Sequence, residues 1–180
     1  AIINDQKIEG IPGTCVKGKN GIVLSKPREF IDLNELPLPA YDLIDISKYR
    51  GIEKQFDYQS SRGCPFRCGF CYNTVFCNRR YRVKSAEKVL NDLNHLQKKY
   101  KIKNFAFVDD EFFIDRKRAE KIFDGIIKNG GFGITASCRL DIVQQFSSKL
   151  LKKIKKAGIS QIFFGAESGS DKTLKNIHKD

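Results

Sequence analysis

The sequence predicts an α/β protein with a parallel sheet, and three observations carry that expectation. Apolar runs of strand length, such as Phe105-Ala106-Phe107-Val108 and Ile162-Phe163-Phe164, alternate with segments whose apolar residues recur at helical spacing. The runs are almost continuously apolar, as strands are when both faces of their sheet are covered. Each is followed by a polar cluster, which is where parallel α/β folds place their sites. Strands joined through helices imply right-handed crossovers. Four such units make part of a barrel or an open doubly wound sheet.

The elements follow in order. Thr14-Cys15-Val16 and Ile22-Val23-Leu24 flank an Asn20-Gly21 hairpin signal. Residues 32–41 are broken by Pro37 and Pro39 and predict a connector lying along a neighbouring surface. Residues 1–50 cannot bury a core alone and divide from residues 51–180. Tyr58-Gln59-Ser60-Ser61 is the first strand. Ser85 caps a helix with Ala86, Val89, Leu90, Leu93, Leu96 and Tyr100 on one face. A strand over residues 104–108 leads to a helix capped by Asp115, carrying Ala119, Ile122, Phe123, Ile126 and Ile127 and ended by Gly130-Gly131. Residues 133–137 are a third strand. Ser147 or Ser148 opens a helix with Leu150, Leu151, Ile154 and Ala157, stopped by Gly158. Residues 159–165 are a fourth strand, and a further helix starts at Asp171.

Composition narrows the class. With 180 residues, 41% hydrophobic and 14 phenylalanines, the chain supports a sizeable core and is not disordered. No apolar run has the length of a membrane span and no signal peptide opens the chain. The six cysteines, three of them clustered, therefore point to metal binding in a reducing cytoplasm rather than to disulfides. The absence of Met and the start at Ala1-Ile2-Ile3 suggest a fragment or processed product. Residues 1–50 are charge-balanced, so the net +12 belongs to residues 51–180. Lys149, Lys152, Lys153, Lys155 and Lys156 have the spacing of a solvated helix face, which leaves nucleic acid as a less favoured partner.

The chemistry centres on Cys64-x3-Cys68-x2-Cys71, laced with Gly63, Pro65, Arg67 and Gly69. Structural zinc takes four protein ligands. A cubane cluster has four irons, so three cysteines leave one iron open. Asp109-Asp110-Glu111, Ser137-Cys138-Arg139 and Glu167-Ser168-Gly169 follow the other strands and converge on the same rim. Simpler readings compete. Cys77 could complete a zinc knot, Asp109 and Asp110 could cap a helix, and Arg139 could pair with Asp141. Cys15 and Cys138 read as small buried hydrophobes, and His95 and His178 carry no assignment.

The cysteine array with Phe70 before its last member resembles the signature of radical S-adenosylmethionine (SAM) enzymes. Arg79-Arg80-Tyr81-Arg82, the acidic end of the second strand and Gly165-Ala166-Glu167-Ser168-Gly169-Ser170 extend the likeness over most of residues 58–180. Residues 36–43 are similar to the linker of the subclass with an N-terminal cobalamin-binding domain. The resemblance implies a partial barrel of about six units, of which this chain supplies four. Residues 1–50 would be the tail of a cobalamin-binding-like domain with its linker, and residues 51–180 the first part of the radical SAM core. Cys64, Cys68 and Cys71 would hold a [4Fe–4S] cluster, whose open iron would chelate SAM for reductive cleavage to a 5′-deoxyadenosyl radical. Phe70, Asp109, Asp110, Glu111, Ser137, Arg139 and Glu167 would contact SAM. The family's Gly-Gly-Glu stretch is Asp-Asp-Glu here, which leaves the acceptor of the SAM ammonium open among the three acids. An electron donor such as flavodoxin or ferredoxin is implied, and cobalamin and methyl transfer are expectations for the full-length protein. A tRNA-modifying methylthiotransferase and a non-catalytic zinc- or cluster-binding nucleic-acid module are the alternatives.

Overall fold

The computed structural model describes residues 10–49 and 55–179. The boundary expected at residue 50 lies outside the described residues. Two compact units divide the chain, one ending at Ile31 and the other beginning at Asp32. The first holds the hairpin of β1 (Cys15–Gly18) and β2 (Gly21–Leu24), paired antiparallel with Gly18 opposite Gly21. Lys19 and Asn20 are thus the turn residues, and Gly21 takes the positive φ. Among the described residues Cys15 is exposed, not buried as its apolar neighbours suggested, since a two-stranded ribbon does not of itself supply a second layer.

The second unit is built on four parallel strands: β3 (Gln55–Tyr58), β6 (Asn104–Phe107), β7 (Gly133–Arg139) and β8 (Ile159–Gly165). Between β3 and β6 a short antiparallel pair, β4 (Ser61–Arg62) with β5 (Arg82–Val83), closes the cysteine loop at its base. The first strand therefore breaks at Gln59-Ser60 rather than running through to Ser61. The sheet order β3-β6-β7-β8 follows the chain without reversal. A doubly wound sheet reverses at a switch point, so this is the wall of a barrel.

Helices α2 (Ala86–Tyr100), α3 (Arg116–Lys128) and α5 (Ser148–Ala157) supply the crossovers. They cover one face of the sheet, burying Phe105, Phe107, Ile134, Ala136 and Cys138 against Leu93, Leu96, Ile122, Phe123, Ile126, Leu150 and Ile154. The other face carries Ala106, Thr135 and Ser137, all half-buried, and exposed Val108. The expected cover on both faces is thus replaced by a one-sided layer, as barrel geometry demands. The caps form as their residue types dictate: Ser85, Asp115 and Ser147 each accept a backbone N–H three residues on. Leu151 is exposed, because the inward stripe of α5 runs through Leu150, Ile154 and Ala157. The connector lies on this unit. Leu33 is buried, Asn34 accepts the Ser85 N–H, and Tyr41 packs edge-on against Phe56 and Tyr100. Helices α1 (Asn73–Phe76), α4 (Leu140–Val143) and α6 (Asp171–Asn176) are short pieces beyond the strand ends.

Candidate functional site

The cysteine loop is held by two adjacent acids at the end of β6. Asp109, buried, accepts from Ser60 N at 2.6 Å, from the Ser60 hydroxyl and from Ser61 N at 3.0 Å. Asp110 accepts from Gly63 N at 2.8 Å and from the Tyr72 hydroxyl at 2.7 Å, so one carboxylate grips the loop on both sides of its cysteines. The Tyr72 hydroxyl is pushed up to about 12, chiefly by that bond. Arg118, buried, donates to Ser60 O, Ser60 Oγ and Lys84 O and so ties the residue before β4 and the residue after β5 to α3. Gly63 has φ +83, and a Cβ there would fall on the Arg80 carbonyl oxygen. Only glycine allows the close approach that starts the loop.

From the end of β7, Arg139 reaches the loop directly. Its Nη1 lies 3.2 Å from Cys68 Sγ, its guanidinium stacks 3.9 Å from the Phe66 ring centroid, and Asp141 grips it at 2.9 and 3.1 Å. Burial pulls its pKa down, but Asp141 and Cys68 more than offset that and the net shift is upward. Arg139 pairs with Asp141, as the simpler reading expects, and the same guanidinium also contacts the cysteine loop. Its backbone N–H donates to Glu111, which also accepts from Phe113 N. Burial pushes the Glu111 carboxyl up to about 7 despite these donors. Pro65, Phe66, Arg67, Arg139 and His178 line a cleft of about 570 Å³ beside the loop.

The predicted residues are distributed unevenly. Cys64, Cys68, Cys71, Phe70, Asp110, Glu111 and Arg139 meet around the loop. Ser137 lies on the uncovered sheet face two residues before Arg139. Asp109 is wholly engaged on Ser60 and Ser61. Glu167, at φ +61 after β8, is held by Lys179. Cys77 is buried with its Cβ near the space above Gly63, and its neighbours are Asp110, Arg82 and Arg62. Phe66, Tyr72 and His178 escaped the sequence reading. For His178 no signal existed, because a contact across more than a hundred residues leaves no local pattern.

Does the loop fit a cluster? Among the described residues no three His, Cys, Asp or Glu side chains are gathered at the spacing a single ion requires. A cubane does not need that gathering, since each thiolate takes a separate iron. Burial pushes the Cys64 thiol up to about 11; the Phe66 N–H lowers it, and negative charge at Glu111, Cys68 and Cys71 raises it. Three thiols on one loop suit a shared cationic centre, which would deprotonate them outright. The donor set fits.

The family model of the radical SAM superfamily matches residues 58–180. An uncharacterized methyltransferase of Pyrococcus horikoshii is 36% identical over 99% of this chain and 39% of its own length. The hopanoid C-2 methylase of Rhodopseudomonas palustris is 28% identical over 98% of this chain and 33% of its own. Among solved structures, the cobalamin-dependent SAM radical enzyme OxsB, with aqua-cobalamin and SAM bound, matches with a TM-score of 0.78 and 26% identity, covering 99% of this chain and 27% of that one. The radical SAM methyltransferase TsrM of Kitasatospora setae shares the fold with a TM-score of 0.75 at 16% identity, over 96% of this chain and 35% of its own. The chain spans 39% or less of the length of these relatives.

Proposed function

The chain belongs to the radical SAM superfamily, and on that premise we propose that Cys64, Cys68 and Cys71 hold a [4Fe–4S] cluster with SAM at the iron they leave open. The observation that carries the reading is the approach of Arg139 to Cys68 at 3.2 Å, which brings the end of β7 onto the cysteine loop. When bound, the cluster and SAM supply reductive cleavage of the sulfonium.

The chain's own residues hold and orient. Arg139, fixed by Asp141 and Phe66, presents a planar fork suited to the SAM carboxylate. Among the three acids, Asp110 is the one that is not buried. We assign it the SAM ammonium, with Asp109 and Glu111 positioning the loop and Arg139. Phe70, exposed beside Cys71, offers an apolar face, while Ser137 and Glu167 supply polar contacts from the ends of β7 and β8.

For the whole protein, the names of the relatives support methyl transfer with cobalamin. Residues 1–50 would be the tail and linker of a preceding cobalamin-binding-like domain, and residues 51–180 the first part of the core. No helix among the described residues is long and apolar enough to cross a membrane. A cytoplasmic setting with a flavodoxin- or ferredoxin-type electron donor completes the reading. Lys153 pairs with Glu120 and Asp124, as on a solvated helix face, which gives nucleic acid no particular support.

Anaerobic reconstitution with iron and sulfide, followed by electron paramagnetic resonance with and without SAM, tests the proposal. A cluster signal that changes when SAM is added is the expected result. A spectrum indifferent to SAM, or stoichiometric zinc without sulfide uptake, overturns it.

A further inference from the structure

We propose that residues 177–179 form a strap tying the end of β8 to the cysteine loop, with Lys179 as the residue that positions Glu167. The proposal rests on the reading of the loop as a cluster and SAM site.

Three consecutive residues after α6 each touch the site. The Ile177 carbonyl accepts the Gly69 N–H at 2.8 Å, inside the cysteine motif itself. His178, at φ +53, lines the cleft with Phe66, Arg67 and Arg139, and its ring edge lies against Gly69. Lys179 Nζ sits 2.6 Å from Glu167 Oε1 and 5.7 Å from the Phe70 ring centroid, within cation–π range. The lysine side chain is only 11% exposed, against 35% for the glutamate, so the pair is partly withdrawn from water.

The backbone is shaped around this pair. A Cβ at Gly165 would stand 2.6 Å from Lys179 Nζ and 2.8 Å from Glu167 Oε1, so the last residue of β8 leaves the space the two groups fill. Glu167 itself takes φ +61, a left-handed conformation that non-glycine residues adopt only when their surroundings impose it. A carboxylate gripped through one oxygen presents the other in a defined direction. Lys179 thereby aims Glu167, and its contact with Phe70 sets that ring against the same ligand. The Ile177–Gly69 bond carries the arrangement to the cysteine loop, so the strand end and the loop are held as one piece.

The test uses the full-length protein in two states. In the reconstituted state, equilibrium dialysis with SAM should show Lys179→Met weakening binding by about tenfold, the loss expected for one charge-assisted hydrogen bond. Lys179→Arg should recover most of it, and Gly165→Val, which drives the pair apart, should reproduce the loss. Adding Lys179→Met to Glu167→Gln should weaken binding no further. In the metal-free state, hydrogen exchange at Gly69 should rise about tenfold in Lys179→Met, because the strap is released. Unchanged SAM affinity in Lys179→Met, or losses that multiply with Glu167→Gln, would overturn the positioning role. If the wild-type protein binds no SAM, the functional reading fails, and unchanged exchange at Gly69 would then dispose of the strap as well.

Discussion

Arg139 Nη1 lies 3.2 Å from Cys68 Sγ, so a cation at the end of β7 meets the cysteine loop. The two residues are separated by 71 positions in sequence, and the contact exists because β7 runs two residues beyond its expected end and delivers the guanidinium over Phe66. Replacing it by lysine keeps the charge but removes the bidentate grip of Asp141 and the stacking. Arg139→Lys should therefore still take up iron and sulfide while binding SAM about ten- to a hundredfold more weakly, as expected for a lost hydrogen bond to a charged group. Iron and sulfide analysis with equilibrium dialysis separates the two effects; undiminished SAM affinity would remove Arg139 from the site.

Cys77 and Cys64 should behave differently. Cys64→Ala, Cys68→Ala and Cys71→Ala are each expected to abolish cluster uptake. Cys77→Ala should leave it intact, since Cys77 is buried beside Gly63 among Arg82, Asp110 and Arg62. Sulfide content after reconstitution reads this directly. Equal loss from all four variants would favour four-cysteine ligation.

The Asp110 carboxylate grips Gly63 N and the Tyr72 hydroxyl at once. Asp110→Ala frees both sides of the loop and should cost about 1–3 kcal/mol in the metal-free protein. Tyr72→Phe loses an exposed bond and should cost less than about 1 kcal/mol. Denaturant midpoints at constant slope check the order; a larger loss from Tyr72→Phe would contradict the clamp.

Gly63→Ala should be severe. The residue combines φ +83 with a Cβ that would collide with the Arg80 carbonyl oxygen, so strain and overlap add to about 3 kcal/mol or more. Thermal unfolding of the variant beside Gly69→Ala supplies the contrast, because a Cβ at Gly69 meets its nearest atom at 3.4 Å.

Glu111 gives the metal-free protein a pH dependence of defined sign. Its folded-state pKa is raised from 4.5 to about 7, chiefly by burial. The folded state therefore binds the extra proton between those values. The associated stability is complete below about pH 4.5 and is lost as pH rises through about 7. Relative to Glu111→Gln, the wild-type protein should gain about 3 kcal/mol on going from pH 8 to pH 4.5. Unfolding measured on both proteins across that range isolates the effect from the other titrating groups. A difference that is flat, or that grows with pH, would show the carboxylate to be ionised comfortably in place.

Much of the fold was legible because its signals are local. The helix caps at Ser85, Asp115 and Ser147, the strand at residues 159–165 and the spacing of Cys64, Cys68 and Cys71 are all written within a few residues of one another. The exceptions have local causes of another kind. The first strand breaks at Gln59-Ser60 because Asp109 takes up the Ser60 and Ser61 donors, a partner nearly fifty residues away. Leu151 and Cys15 looked apolar and inward, but among the described residues both are exposed.

By itself, then, the chain's order of residues determined the repeating strand and helix pattern, the three thiols on one loop and the acids and Arg139 at strand ends. Periodicity and short-range hydrogen bonding are set by neighbours in sequence. Only the tertiary structure decided that Asp109 and Asp110 grip the loop while Glu111 takes the Arg139 N–H, that Arg139 meets Cys68, and that Lys179 reaches back to Glu167. Those choices depend on how strands align side by side in the barrel wall, where residues far apart in the chain come within hydrogen-bonding reach.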